Sequence, residues 1–169
     1  MIKPRLSVPG LDLPLVGGGR FSLREERPEN FTMIVVYRGL HCPICKTYLR
    51  ELNDRLSDFE ALGVKVVAVT SDAADRAEKA KVEWDLDRLR VAYDLSIETG
   101  RKWGLYVSRG ISEKEPAQFV EPGLFLIRPD NTLYAASIQT MPFARPHFAE
   151  VMSAIQFVSK NAYPARGEA

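Results

Sequence analysis

The sequence is poor in the residues that bind metals or crosslink chains, since its 169 positions include only two cysteines and two histidines. Two cysteines are too few for the disulfide framework of a small secreted domain. The net charge is +1, so no strong field gathers nucleic acid or anionic lipid. The chain also lacks an apolar run long enough for a signal peptide or a membrane span. We therefore expect a cytoplasmic protein without nucleic-acid or membrane partners.

The composition is that of an ordinary globular protein. Hydrophobic residues make up 46% and charged residues 27% of the chain, a mix that differs from disordered, collagen-like and membrane proteins. A length of 169 residues fits one domain with a sizeable core. Glycine, proline and charged residues are frequent in the first thirty positions. We expect a single domain over 1–169 with an irregular N-terminal approach over 1–30.

Two apolar runs, over residues 31–37 and 64–70, are typical of strands that are buried on both faces of a parallel sheet. Between them, apolar residues recur at steps of three and four, which predicts one amphipathic helix ended by Gly63. This stripe consists of Leu49, Leu52, Leu56, Phe59 and Leu62. The strand, the helix and the second strand together predict a βαβ unit with a right-handed crossover.

The second half of the chain continues the alternation of helices and strands. The predicted elements, in chain order, are a helix over 73–84 capped by Ser71 or Asp72, a short strand over 89–93, a helix from Ser96 to about 103, a loop of open shape next to the active site over 107–121, a β-hairpin formed by 124–127 and 133–138, and a final helix after Pro146. This order predicts an α/β fold with a mixed central β-sheet flanked by helices on both faces.

Cys42 and Cys45 stand where the first predicted strand ends and the first helix begins. Pro43 suits the first helical position, which places Cys42 at or next to the N-cap. Because a helix N-terminus favours a thiolate over a thiol, we expect Cys42 to be an exposed nucleophile. Cys45 lies one turn further on, four residues before Leu49, and is expected on the buried stripe. The pair predicts a reversible dithiol–disulfide switch in which Cys45 resolves the product.

Two other interpretations of the cysteine pair stay open. The cysteines are inert small hydrophobic residues in one of them. In the other they bind zinc, although a closed zinc site needs about four ligands and the chain adds only His41 and His147. The His41 side chain, next to Cys42, is expected to point away from the helix turn that carries Cys45. We therefore expect neither a metal nor another cofactor.

Residues 37–45, which read Tyr-Arg-Gly-Leu-His-Cys-Pro-Ile-Cys, and the leucine helix after them resemble the peroxiredoxin-like branch of the thioredoxin superfamily. This is the redoxin group related to alkyl hydroperoxide reductase and thiol-specific antioxidant proteins. The resemblance covers roughly residues 10–160 and implies a thioredoxin-like fold. It includes a second segment, residues 122–127, which is similar to the place where thioredoxin folds carry a cis-proline. The likeness implies that Pro122 has a cis peptide bond and faces Cys42.

Two positions depart from the peroxiredoxin pattern. Typical members carry a threonine three residues before the peroxidatic cysteine, where this chain has Gly39, and an arginine just before the later strand, where it has Pro122. Those side chains orient the peroxide and stabilise the thiolate in the family. The Cys-Pro-x-Cys spacing, in contrast, resembles the dithiol motif of thioredoxins. These departures favour general thiol–disulfide exchange as the alternative activity.

Three further side chains are candidates for support of the active site. Arg38 ends the first strand and could stabilise a nearby thiolate or oxyanion. His41 occupies the position of a tryptophan in many thioredoxins and could carry a proton to a leaving thiolate. Arg145 could reach the site from the proline-rich segment before the last helix. Each has a simpler interpretation, as a solvated strand-end charge, a surface histidine and part of a rigid loop.

The leading hypothesis is a peroxiredoxin-like oxidoreductase in which the Cys42 thiolate reduces a peroxide and Cys45 closes an intramolecular disulfide. The alternatives are a thiol–disulfide oxidoreductase with little peroxidase activity, and a redox-responsive binding module. The partners implied are a peroxide or disulfide substrate and a reductant such as thioredoxin or glutathione. The resemblance also makes a homodimer possible.

Overall fold

A computed structural model describes residues 2–169. It has nine strands: β1 (Asp12–Pro14), β2 (Arg20–Ser22), β3 (Phe31–Val36), β4 (Val64–Val69), β5 (Val91–Ala92), β6 (Val107–Arg109), β7 (Gln118–Val120), β8 (Gly123–Ile127) and β9 (Leu133–Ile138). The five α-helices are α1 (Pro43–Asp54), α2 (Leu56–Ala61), α3 (Ala74–Glu83), α4 (Ile97–Lys102) and α5 (Phe148–Asn161). A short 3₁₀ helix, Leu23–Glu25, precedes β3.

Five of the strands form a mixed sheet in the order β5-β4-β3-β8-β9. β3 pairs in parallel with β4, and β4 with β5, whereas β8 is antiparallel to both β3 and β9. The predicted βαβ unit and the predicted hairpin are both confirmed. Asn131 takes a left-handed conformation, with φ 62°, in the hairpin turn. The fold is the predicted α/β class with a mixed central sheet.

Both faces of the sheet are covered, which explains the continuous apolar sequence of β3. Met33 and Val35 belong to a core cluster that contains residues of α1, α2 and α5, among them Phe59 and Phe148. The alternate residues of β3 face a second cluster on the opposite side, where the β1–β2 hairpin and the residues around α4 supply the apolar side chains. All six residues of β3 are buried as a result.

Three local predictions are wrong. The leucine stripe is divided between α1 and α2 at Arg55, which has φ −98° and ψ 4°. The buried side chain of Asn53 accounts for this end of α1. Its Oδ1 accepts hydrogen bonds from the backbone N–H groups of Arg88 (3.1 Å) and Leu89 (2.9 Å), and its Nδ2 donates to the Asp87 carboxylate (2.8 Å). Residues 107–121 contain the antiparallel pair β6–β7 rather than only a loop, and β1 and β2 form a hairpin within 1–30. Strands of three residues are too short to show a period in the sequence.

The predicted cap of α3 is also wrong, because Ala73 is the N-cap and makes no side-chain capping bond. Ser71 Oγ instead accepts a hydrogen bond from Val120 N at 3.2 Å. Asp72 is turned toward the loop that leads to the cysteines. The predicted cap of α4 is confirmed, since Ser96 Oγ accepts from Thr99 N at 3.1 Å. Among residues 2–169, no helix has the length and apolar character needed to cross a membrane.

Candidate active site

The cysteine pair lies beyond the carboxyl end of β3, where a six-residue segment, 37–42, leads into α1. Cys42 is the N-cap of this helix and Pro43 is its first residue, as predicted. Cys42 Sγ accepts a hydrogen bond from Cys45 N at 3.2 Å. The sulfur therefore does what a serine or aspartate oxygen does at other N-caps, and it receives both the free N–H and the positive end of the helix dipole.

Both thiols are free and buried. Cys45 is 0% exposed and belongs to the core cluster below the sheet, so its predicted place on the buried stripe is confirmed. The prediction that Cys42 is exposed is wrong, because its side chain is only 2% exposed. The sequence pattern located the helix N-terminus correctly but gave no sign of what covers it.

A distant arginine contacts the two sulfurs. Arg145 Nη2 lies 2.9 Å from Cys45 Sγ and 3.9 Å from Cys42 Sγ. The Arg145 side chain is only 9% exposed, and its Nε and Nη1 atoms have no hydrogen-bond partner within the described chain. No carboxylate of residues 2–169 forms an ion pair with it. The cysteines are thus the groups that can supply a negative charge to this buried guanidinium.

Tyr48, on α1, holds the segment that carries Arg145. Its hydroxyl donates a hydrogen bond to the carbonyl oxygen of Pro146 at 2.6 Å. Its ring lies under the Arg145 guanidinium, 5.1 Å from the centroid, and stacks on Phe148 at 4.2 Å. Sequence analysis missed Tyr48, although its position three residues after Cys45 on a helix is a signal that it faces the same side.

The two thiols differ strongly in acidity. Hydrogen bonding from the Cys45 thiol, together with the Cys45 backbone N–H and the charges of Arg145 and Arg38, outweighs burial and lowers the pKa of Cys42 to about 6. Burial raises the pKa of Cys45, and the hydrogen bond to Cys42 raises it further, while Arg145 acts in the opposite direction. Cys42 is therefore the thiolate near neutral pH and Cys45 the thiol.

Arg38 is held at the site by an acidic partner. Its Nε atom lies 3.2 Å from Oε2 of Glu121, which is 3% exposed, and its guanidinium stacks over the Phe119 ring at 4.7 Å. Glu121 also accepts a hydrogen bond from the Ser108 hydroxyl. The residues of β6, β7 and the link to β8 thus fix a cation near Cys42. The sequence predicts that this region lies next to the site, but not which of its side chains hold Arg38.

His41 packs between an aromatic ring and a second arginine. Its ring lies 4.6 Å from that of Phe119, and its Nδ1 is 3.4 Å from Nη2 of Arg76. Arginine has no acceptor, so this contact requires an unprotonated Nδ1. Burial lowers the pKa of His41, the charges of Arg38 and Arg76 add to this effect, and those of Asp72 and Glu115 oppose it. The ring is therefore neutral near pH 7.

Asp72 fixes the turn before Cys42. Its buried carboxylate accepts a hydrogen bond from Leu40 N at 2.8 Å and lies 3.0 Å from Nε of Arg76. Gly39, with φ +133°, approaches it so closely that a Cβ atom would stand 2.5 Å from Oδ2. The glycine is required here by space as well as by conformation, which explains why no larger side chain occupies the position.

The predicted cis peptide bond at Pro122 is wrong, since no peptide bond in residues 2–169 is cis. The chain instead passes directly from β7 into β8. Glu121 N donates a hydrogen bond to the carbonyl oxygen of Tyr106 (2.8 Å), and the carbonyl oxygen of Pro122 accepts one from Gln139 N (2.9 Å). Both residues of the link between the strands are thus hydrogen-bonded through their backbone. Because Gly123 pairs with Val36, Pro122 lies beside the end of β3, and its neighbour Glu121 makes the polar contact with the site.

Sequence comparison identifies the family. A sequence model of the AhpC/TSA family matches residues 4–136. The chain belongs to this family. The assignment confirms the predicted peroxiredoxin-like branch of the thioredoxin superfamily and its activity class, a thiol-dependent oxidoreductase. No curated protein sequence matches the chain.

Several solved structures share the fold at low sequence identity. A cysteine mutant of peroxiredoxin 6 from Arenicola marina superposes with a TM-score of 0.79 and 17% identity, covering 96% of this chain and 76% of that one. Peroxidoxin BcpB from Mycobacterium tuberculosis gives 0.75 and 16%, with 94% and 99% covered. AhpC from Enterococcus faecalis gives 0.76 and 15%, with 98% and 99% covered. These likenesses confirm the thioredoxin-like fold.

Proposed function

We propose that this AhpC/TSA protein reduces peroxides with Cys42 as the peroxidatic cysteine and Cys45 as the resolving cysteine. The Cys42 thiolate attacks one peroxide oxygen, the O–O bond breaks, and the alkoxide or hydroxide leaves and takes up a proton. Cys42 is then a sulfenic acid. Cys45 attacks its sulfur, the S–O bond breaks, and the oxygen leaves as water with the Cys45 proton, so that the product is a Cys42–Cys45 disulfide.

The observation that carries the proposal is the thiolate site at the N-terminus of α1. Cys42 Sγ receives the Cys45 N–H, and two arginines, Arg145 and Arg38, add positive charge. His41 and Arg38, both packed on Phe119, offer N–H groups that suit a leaving oxyanion. Pro122 takes part through its neighbour Glu121, which positions Arg38.

An external reductant has to supply two thiol groups to reduce the disulfide again, and we propose that thioredoxin or two molecules of glutathione do so in the cytoplasm. The oxidised protein has only one intramolecular disulfide available, because the chain contains two cysteines. A homodimer is consistent with the family and is tested by sedimentation of the reduced and the oxidised protein.

Thiol–disulfide exchange is the second candidate activity. It is favoured by Gly39 and Pro122, which replace the threonine and the arginine of typical family members, and by the Cys-Pro-x-Cys spacing. The same two cysteines perform it through a mixed disulfide on Cys42 that Cys45 displaces.

Rates of Cys42 oxidation separate the two activities. Reduced protein is mixed with hydrogen peroxide, with an alkyl hydroperoxide and with a model disulfide, and the second-order rate constants are compared. We expect the highest constant with one of the peroxides. A disulfide rate that exceeds both peroxide rates would replace peroxide reduction by exchange. Cys45→Ser should accumulate an adduct on Cys42, whereas an adduct on Cys45 in Cys42→Ser would reverse the two roles.

A further inference from the structure

The position of Arg145 is asymmetric with respect to the two sulfurs. Its Nη2 atom lies 2.9 Å from Cys45 Sγ, which is hydrogen-bond distance, but 3.9 Å from Cys42 Sγ. Cys42 already has the helix N-terminus, the Cys45 backbone N–H and Arg38 to stabilise its negative charge. Cys45 has no other cation in contact within the described chain. Arg145 therefore makes its shorter contact with Cys45 Sγ, the sulfur that has no other positive charge to stabilise its thiolate.

The resolving step requires Cys45 to become a thiolate although it is buried. A thiol must lose its proton to attack, and Cys45 is 0% exposed, so water cannot stabilise its thiolate. In the reduced state, its proton is directed to the Cys42 thiolate, which raises the pKa of Cys45. Once Cys42 is a sulfenic acid or part of a mixed disulfide, its sulfur is neutral. The negative charge of the Cys42 thiolate, which opposes ionisation of Cys45, is then gone. Arg145 then has one remaining anionic partner, the nascent thiolate of Cys45.

We propose that Arg145 is a catalytic residue of the resolving step, and that its guanidinium stabilises the Cys45 thiolate as it attacks Cys42. This inference rests on the proposed dithiol function, but it holds for either substrate. With a peroxide, the S–S bond forms as the S–O bond of the sulfenic acid breaks and water leaves. With a disulfide, the S–S bond forms as the mixed disulfide breaks and the substrate thiolate leaves. No further oxidant or reductant is needed in either case.

The surroundings of Arg145 suit this role. Its Nε and Nη1 atoms are unpaired in the described chain, so the charge is not neutralised by a carboxylate. The Tyr48 ring and the hydrogen bond from Tyr48 to Pro146 keep the guanidinium in place. Arg38, in contrast, is paired with Glu121, and its charge lowers the pKa of Cys42. Both arginines lower the pKa of Cys42, but it is Arg145 that contacts the Cys45 sulfur.

Single-turnover kinetics of Arg145→Met and Arg145→Lys test the assignment. The rate of sulfenic acid formation and the rate of disulfide formation are measured separately, the first by dimedone trapping in the Cys45→Ser background. In Arg145→Met we expect disulfide formation to slow about 100-fold, the usual cost of removing one preorganised donor, and peroxide attack to slow about tenfold or less. Arg145→Lys should fall between Arg145→Met and the natural protein. Arg109→Met, which removes an exposed arginine, is the control for net charge.

A second measurement is independent of the substrate. In the Cys42→Ser background, ultraviolet absorbance titrates the Cys45 thiolate alone, and Arg145→Met should raise its pKa while circular dichroism shows the same fold. If peroxide fails as a substrate, the mixed-disulfide lifetime gives the resolving rate in its place, so the two proposals fail separately. Equal slowing of both steps, or an unchanged Cys45 pKa, would overturn the role of Arg145.

Discussion

Gly39 and Asp72 are packed so closely that the glycine Cα leaves no room for a side chain, since a Cβ atom would stand 2.5 Å from the carboxylate. The family's threonine is therefore sterically excluded from this position as long as Asp72 receives the Leu40 N–H. Gly39→Thr should lower the free energy of unfolding by about 3 kcal/mol and decrease peroxide reduction rather than improve it. Urea denaturation and the peroxide rate constant measure the two effects.

Gly17→Ala is the control for Gly39→Thr. Gly17 also has a positive φ, +89°, but nothing lies within 4 Å of its Cβ position. Gly17→Ala should lower the free energy of unfolding only by the cost of placing a Cβ atom at a positive φ, about 1 kcal/mol. Equal losses in both variants would mean that the contact with Asp72 is unimportant.

Asp72→Ala should destabilise the protein by about 2–3 kcal/mol, because it leaves the Leu40 N–H without its acceptor and Arg76 without its buried partner. Asp72→Asn keeps an oxygen for Leu40 and removes the charge. In urea unfolding, we expect Asp72→Asn to lower the free energy of unfolding by about half as much as Asp72→Ala does. The prediction is contradicted if Asn and Ala are equally destabilising, since the hydrogen bond to the turn would then contribute nothing.

The low pKa of Cys42 depends first on the Cys45 thiol. Ultraviolet titration of the natural protein should show one thiolate that forms around pH 6, fully present at pH 8 and absent at pH 4. Cys45→Ala removes the donor and should raise the Cys42 pKa, which moves the titration to higher pH. Cys45→Ser retains a hydroxyl donor and is the matched control. If Ala and Ser titrate alike, the helix N-terminus and the arginines alone determine the acidity.

Tyr48→Phe removes the hydroxyl that donates to Pro146 but keeps the ring under Arg145. It should cost about 1 kcal/mol of stability and increase amide hydrogen exchange in the segment that carries Arg145. Tyr163→Phe, which removes an exposed hydroxyl contact with Arg166, should leave that segment unchanged. Unaltered exchange in Tyr48→Phe would show that the aromatic contact suffices to hold the segment.

The central strands and the helix N-terminus could be predicted because their signals are local. Apart from the exposed Lys65, every residue of β3 and β4 is buried and nearly all are apolar, and Pro43 marks the first residue of α1. The cover of Cys42 could not be predicted, because Arg145 lies 103 residues away and its loop has no periodicity. The contacts of Glu121 with Arg38 and of Asp72 with Leu40 could not be predicted for the same reason, because they too join distant parts of the chain.

Errors within predicted elements have equally specific causes. The end of α1 depends on hydrogen bonds that the Asn53 side chain accepts from a loop more than thirty residues further along the chain, which the leucine stripe does not encode. The likeness to thioredoxin folds implies a cis bond at Pro122, whereas in this chain Glu121 N donates a hydrogen bond to Tyr106 and the Pro122 carbonyl oxygen accepts one from Gln139.

The unpaired burial of Arg145 also bears on the equilibrium between the two redox states. Its charge is compensated while the dithiol carries a negative charge, and it loses that compensation when the neutral disulfide forms. The cost falls on the oxidised state alone. The reduced protein is thereby stabilised, which raises the reduction potential of the couple and makes its disulfide easy for a modest cellular reductant to reopen.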